Sequence, residues 1–127
     1  MPVDQLQHVN IRCADVKRSR DFYVELLGLV EGDRPPFASV GYWLYLGGVP
    51  VIHLVQRSAD AEPAAMGGGA IDHVAFRALG LDQTRTRMRT EGVAFQETVV
   101  PRDGTAQLFV ADPDGVRIEL NFESPAR

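Results

Sequence analysis

The first residues of the chain alternate between polar and apolar positions. His8, Asn10 and Arg12 fall on one side of an extended segment over residues 5–12, and apolar residues fall between them. A period of two is typical of a β-strand with one buried face. The pattern therefore predicts that the chain opens with a strand.

A helical pattern follows this strand. Val16, Phe22 and Leu26 recur at roughly helical spacing. Asp15 is suited to cap the N-terminus of the helix, and Gly28 is suited to end it. After a loop at Pro35-Pro36, strand patterns return on both sides of the turn pair Gly47-Gly48, over residues 39–46 and 49–56.

The second half of the chain repeats this order of elements. Residues 71–77 have a strand pattern, Asp82 is expected to cap a helix, and Gly92 is expected to end it. The remaining strands are predicted over residues 94–99, 105–110 and 115–122, with the last two joined by a type I turn at Asp112-Pro113-Asp114-Gly115.

The repetition extends to the sequence itself. Residues 6–11 return as residues 71–76, and residues 51–55 return as residues 117–121. Such similarity indicates two copies of one supersecondary unit, neither of which buries its apolar face alone. We therefore expect a single domain over residues 1–127. Its predicted parts are module one at about 5–57, a linker at about 58–69, and module two at about 70–123.

Composition and charge exclude several functions. The chain has 127 residues and a formal net charge of −4, whereas a nucleic-acid partner usually requires a basic surface. Cys13 is the one cysteine, which fits a reducing compartment. The N-terminus lacks the features of a secretory signal, and no apolar stretch is long enough to cross a membrane. We expect a cytoplasmic protein with no nucleic-acid and no membrane partner.

All three histidines of the chain fall at repeat-equivalent places. His8 corresponds to His73, and His53 corresponds to Glu119. If the two copies pair about a pseudo-twofold axis, these four side chains converge in one concavity. Three imidazoles and a carboxylate suit a divalent Zn, Ni, Co, Fe or Mn ion. The alternative is that each side chain is a structural residue of its own strand.

Other polar residues share the strand faces of these candidate ligands. Asn10, Arg12 and Asn121 alternate in phase with them, which indicates a solvated pocket. We expect these three residues to bind the substrate.

Residues 6–9, 15–29, 71–76 and 109–120 resemble the vicinal-oxygen-chelate superfamily, which includes glyoxalase I, extradiol dioxygenases and bleomycin-binding proteins. The resemblance covers nearly the whole chain and implies an α+β fold of two tandem βαβββ modules that form a curled, open barrel-like sheet cup. It also implies that His8, His53, His73 and Glu119 occupy the four metal positions, with one divalent ion as cofactor. A homodimer is implied too, with the cup completed within one chain or by exchange of modules.

The resemblance implies a metal-dependent glyoxalase-like lyase or isomerase that acts on a small oxygenated organic substrate. Glu119 is then both ligand and catalytic base. Glyoxalase-type isomerases generally carry a carboxylate or amide where this chain has His53.

Two alternatives stay open. One is an Fe(II) extradiol-type dioxygenase that uses His8, His73 and Glu119. The other is a non-enzymatic, antibiotic-sequestering protein. Its small-molecule cup would be lined by Trp43, Tyr45, Phe109 and Phe122.

Overall fold

The computed structural model describes residues 2–59, 67–101 and 103–123. The chain divides into two compact units, Met1–Ala64 and Ala65–Arg127. Each unit contains one four-stranded mixed sheet. Among the described residues, no helix is long and apolar enough to cross a membrane.

The first unit follows the order strand, helix, three strands. Its sheet has the strand order β1-β4-β3-β2, in which β1 runs parallel to β4 and the other neighbours are antiparallel. The elements are β1 (Val9–Cys13), α1 (Val16–Asp21), which continues as a π-helical turn over Phe22–Leu26, β2 (Val30–Gly32), β3 (Gly41–Leu46) and β4 (Val49–Gln56).

Asp15 caps α1 as predicted. Its side-chain Oδ1 accepts a hydrogen bond from the backbone N–H of Arg18 at 3.2 Å, which satisfies one of the free donors of the first turn. Val16 and Tyr23 are buried, and Gly28, with φ of +84°, ends the helical segment. The sequence therefore specifies this helix at both ends.

The two faces of the first sheet differ in character. Ile52 and Leu54 of β4 are almost fully buried, as is Leu44 of β3, and α1 packs against these strands. The alternate positions carry His53 on β4 and Trp43 on β3, which are directly paired in register. One face is therefore the core, and the other carries the candidate chemistry.

The second unit repeats the same topology. Its strand order is β5-β8-β7-β6, with β5 parallel to β8 and the other pairs antiparallel. The elements are β5 (Val74–Arg77), α2 (Leu81–Thr90), β6 (Gln96–Val99), β7 (Ala106–Ala111) and β8 (Arg117–Phe122). The predicted α+β fold of two tandem βαβββ modules is confirmed.

The hairpin turn of the second unit forms as predicted. The N–H of Gly115 donates to the carbonyl oxygen of Asp112 at 2.9 Å. The buried Asp112 side chain also accepts from the N–H groups of Asp114 and Val116. This turn fixes the position of β8 relative to β7.

The prediction that Asp82 caps the second helix is wrong. The N-cap is Gly80, with φ of +78°, and Asp82 lies in the first turn, where its Oδ1 accepts from Arg85 at 2.7 Å. A left-handed glycine lets the chain turn into the helix before Asp82 is reached. The negative charge of Asp82 in the first turn instead stabilises the helix through its interaction with the positive end of the helix dipole.

Candidate metal centre

His8 and His73 occupy equivalent places, each one residue before the first strand of its unit. In each case the preceding side chain contacts Nδ1. Gln7 Oε1 lies 3.0 Å from Nδ1 of His8, and Asp72 Oδ2 lies 2.7 Å from Nδ1 of His73. An imidazole whose Nδ1–H donates in this way keeps a lone pair on Nε2. This is the arrangement of most metal-binding histidines.

Glu119 is a nearly buried carboxylate held by neutral donors. It is 9% exposed. The side-chain amide of Asn121 donates to its Oε2 at 2.9 Å, and that of Gln107 donates to its Oε1 at 3.3 Å. Gln107 also donates to Asn121 at 3.0 Å. These contacts fix the orientation of the carboxylate without neutralising its charge.

Nε2 of His73 lies 3.6 Å from Oε1 of Glu119. Two ligand atoms on a tetrahedral ion with bonds of about 2.0–2.1 Å are roughly 3.3–3.4 Å apart. The two side chains are thus close to the separation that one divalent ion requires. His73 and Glu119 fit a metal site in which each supplies one ligand atom.

Asp72 adds a charged group behind His73. The hydrogen bond with His73 and a second one from Arg117 hold the pKa of this carboxyl below its usual value. Arg117 Nη1 donates to Asp72 at 3.1 Å, and its guanidinium lies over the ring of Phe109, 4.1 Å from the ring centre. The carboxylate–histidine pair is therefore itself anchored.

The first unit has a different arrangement at the equivalent positions. The ring of His53 is stacked between those of His8 and Trp43, with centroid distances of 3.8 and 4.1 Å and interplanar angles of 12° and 11°. Nε2 of His53 lies 3.1 Å from the carbonyl oxygen of Pro50. Both contacts hold the ring in one orientation.

Burial lowers the pKa of His53, and the neighbouring charges of His8 and Arg34 lower it further, although the hydrogen bond to Pro50 opposes them. Near neutral pH the ring is therefore uncharged and able to act as a ligand. However, the nitrogen lone pairs of an imidazole lie in the plane of its ring, and the planes of His8 and His53 are nearly parallel and stacked 3.8 Å apart. One ion cannot lie in both planes, so His8 and His53 bind one ion together only if the stack opens.

The structure brings the predicted site residues together in pairs. His8 contacts His53 in the first unit, and His73 contacts Glu119 in the second. Asn10 is paired with His53 in register, Arg12 is exposed, and Asn121 binds Glu119 directly. Within the described parts of each unit, no group of three or more His, Cys, Asp or Glu side chains forms.

The sequence model of the Glyoxalase/Bleomycin resistance protein/Dioxygenase superfamily matches residues 5–120. The chain belongs to this superfamily.

Two curated proteins and one solved structure illustrate the similarity. "Glyoxylase I 4" of Arabidopsis thaliana is 28% identical over 119 residues, which cover 91% of this chain and 68% of that protein. "Uncharacterized protein YwkD" of Bacillus subtilis is 30% identical over 128 residues, which cover 94% of this chain and 98% of that protein. The glyoxylase/bleomycin resistance protein/dioxygenase domain from Frankia sp. EAN1pec has a TM-score of 0.77 at 20% identity, with 96% and 99% covered.

The sequence repeat and the superfamily resemblance pointed to the four candidate ligands, but neither pointed to the residues around them. Asp72 and Gln7 had a usable signal, because each directly precedes a repeat-equivalent histidine. Gln107 is an alternate-face residue of β7, and only the register with β8 shows that it reaches Glu119. Arg34 lies in a loop whose path the sequence does not specify.

Proposed function

We propose that the protein is a metal-dependent enzyme of the glyoxalase-like lyase or isomerase kind, acting on a small oxygenated organic molecule. The observation that carries the proposal is the His73–Glu119 pair. Nε2 of His73 and a fixed carboxylate oxygen of Glu119 are 3.6 Å apart, and a second carboxylate orients the histidine from behind.

His8, His73 and Glu119 are the proposed ligands of one divalent ion. His8 is included because its Nδ1 contact with Gln7 parallels that of His73 with Asp72. His53 is the fourth candidate ligand, and it becomes available once its ring leaves the stack. Nitrogen and oxygen donors of this kind suit Zn, Ni, Co, Fe or Mn.

Bound there, such an ion would polarise a substrate carbonyl and would make the adjacent C–H more acidic. Glu119 accepts the proton. Among the described residues, its carboxylate is hydrogen-bonded only to the neutral side chains of Gln107 and Asn121. These two amides hold the carboxylate in place while its proton is taken up and returned. Asn10 and Arg12 are proposed to bind the substrate beside the first pair of rings.

Exchange of substrate C–H for deuterium tests this function without knowledge of the product. The metal-loaded protein is incubated in D2O with a panel of small 2-hydroxy ketones and 2-oxo aldehydes, and exchange is followed by proton NMR. We expect exchange with at least one compound, and its loss in Glu119→Gln. The exposed Glu123 supplies the matched control, since Glu123→Gln keeps the activity. Full exchange in Glu119→Gln contradicts the proposed role of this residue.

The ring stack also favours a second candidate. If His53 stays in the stack, the ligands are two histidines and one carboxylate, which is the set of non-heme Fe(II) oxygenases. This alternative predicts oxygen uptake with catechols after anaerobic loading with Fe(II). The absence of oxygen uptake across a panel of catechols contradicts this alternative.

We also propose that the protein is a homodimer, as the superfamily resemblance implies, and that it is located in the cytoplasm. Sedimentation at several protein concentrations checks the dimer, and a species with the mass of one chain, 14.0 kDa, at all of them contradicts it.

A further inference from the structure

A loop of the first unit brings an arginine beside the ring stack. The loop between β2 and β3 holds Arg34, whose guanidinium lies over the ring of Phe37 at 5.1 Å. Phe37 in turn lies 6.3 Å from Trp43, tilted by 47°, and Trp43 stacks on His53. A cation and three rings thus form one continuous row. We call Arg34, Phe37, Trp43 and His53 the aromatic row.

The loop that carries this row is held at both ends. The hydroxyl of Tyr45 donates to the carbonyl oxygen of Asp33 at 2.7 Å, and the N–H of Gln56 donates to that of Val40 at 2.8 Å. Pro35 and Pro36 restrict the backbone between these contacts. The loop is therefore ordered before any ligand binds, which lowers the entropic cost of binding.

Gly41 allows the guanidinium to approach the sheet closely. A Cβ built at this position would lie 2.9 Å from Nη2 of Arg34 and closer still to the carbonyl oxygen of Leu54. Both distances are shorter than real Cβ contacts, so a side chain at position 41 would displace Arg34. The guanidinium of Arg34 can therefore occupy its position only because residue 41 is a glycine.

Arg34 has neutral partners in place of a counter-charge. Its Nη1 and Nη2 donate to the carbonyl and hydroxyl oxygens of Ser39 at 2.9 and 3.0 Å. Its Nε is buried and has no hydrogen-bond partner among the residues described here, and none of their carboxylates forms an ion pair with it. The buried Nε is closed to a ligand, but Nη1 and Nη2 each carry a second N–H beyond the one that binds Ser39. A guanidinium without a counter-charge next to a partly exposed ring is suited to bind an anion.

We propose that the aromatic row binds a planar carboxylate, with Arg34 on the carboxylate group, the ring of Phe37 on its flat face and the tilted ring of Trp43 at its edge. Phe37 is 54% exposed, so its ring is open to stacking. The proposal deepens the proposed function, on which it rests for the identification of this ligand as the substrate: an aromatic or conjugated carboxylic acid that also bears oxygen substituents.

Benzoate and benzamide form a matched pair of probes, because they have the same ring and nearly the same shape but differ in charge. Binding is followed in EDTA-treated protein through the indole N–H signal of Trp43, the one tryptophan of the chain. We expect benzoate to bind with a Kd on the order of 1 mM and benzamide to bind about tenfold more weakly. Cyclohexanecarboxylate, which is charged but not flat, is also expected to bind more weakly than benzoate.

Variants of Arg34 test the origin of this preference. In Arg34→Gln the affinity for benzoate falls roughly tenfold to that for benzamide, whereas the exposed Arg18 serves as control, and Arg18→Gln binds benzoate as the natural chain does. Arg34→Lys keeps the charge without the planar fork, so it retains a reduced preference for benzoate. Because this second variant preserves the cation, it also separates loss of charge from misfolding.

Equal affinities for benzoate and benzamide overturn the proposal, as does an undiminished preference in Arg34→Gln or the absence of benzoate binding. Metal binding is measured separately on the same protein. If no metal binds but the preference for benzoate is present, the aromatic row stands and the proposed enzymatic function fails. If metal binds and the preference is absent, only the aromatic row is refuted.

Discussion

His53 and Glu119 stand at the same place in two sheets of the same topology, yet their surroundings differ. Each is paired in register with an aromatic residue of the neighbouring strand, Trp43 in one sheet and Phe109 in the other. His53 is stacked between two rings. Glu119 is held by two amides and faces His73.

The difference shows that one backbone pattern supports two kinds of side-chain environment. A ring stack gains its energy from dispersion and removal of water, and it favours the uncharged form of His53. The carboxylate of Glu119 is held in a fixed orientation by its two amide partners. We therefore propose that metal binding is chiefly the task of the second unit and that recognition of a flat ligand is the task of the first.

The largest expected effect tests the shared part of the comparison, which is the core. Ile52 and Ile118 are repeat-equivalent and almost fully buried. We expect Ile52→Ala and Ile118→Ala each to lower the free energy of unfolding by about 2–5 kcal/mol, measured by urea denaturation. A loss below about 1 kcal/mol at one position only would show that the two cores are not equivalent.

The next effect separates the two units by their affinity for Zn or Co(II). Glu119→Gln removes a charged ligand atom, so the affinity should fall by roughly a hundredfold or more, whereas His53→Gln should lower it by less than about tenfold. Competition with a chromogenic chelator measures both. The assignment is refuted if the two variants lose the same affinity or if His53→Gln loses more.

A smaller effect concerns the groups behind the histidines. Asp72→Asn keeps an acceptor for His73 but removes its charge, so metal affinity should fall about tenfold. Gln7→Ala removes the equivalent contact in the first unit, where no charge is involved, and should cost less. An unchanged affinity in Asp72→Asn would mean that this carboxylate only anchors Arg117.

The smallest effect is a pH dependence of the ring stack. The pKa of His53 is below the unfolded value of 6.5, so the unfolded chain takes up this proton at a higher pH than the folded one. The stabilising contribution is complete above 6.5 and is lost as the pH falls towards the folded pKa. Trp43 fluorescence should titrate with a midpoint below 6.5 in metal-free protein, and this transition should vanish in His53→Gln. A midpoint at or above 6.5 contradicts a lowered pKa of His53 in the ring stack.

Local signals explain how much of the fold the sequence predicted. Asp15, Gly28 and the turn at Asp112–Gly115 act within a few residues of themselves, so their roles follow from sequence. Gly80 was missed as a cap because Asp82 is the better N-cap by residue type, and only the backbone conformation decides between them.

Contacts between distant residues explain what the sequence did not predict. The repeat indicated that His73 and Glu119 belong to one site, but not that Gln107 holds the carboxylate from a third strand. The stacking of His53 between His8 and Trp43 depends on register across three strands. The position of Arg34 depends on a loop path and on the space left by Gly41.

The central claim, that metal binding is chiefly the task of the second unit, is tested most directly by nitrogen NMR of the three histidines in protein loaded with ¹¹³Cd. A cadmium–nitrogen coupling identifies each bound imidazole and the nitrogen that binds. We predict coupling at Nε2 of His73 and of His8, with Nδ1 of both still protonated and the His53 signals uncoupled. Coupling at His53 with none at His73 would contradict the account.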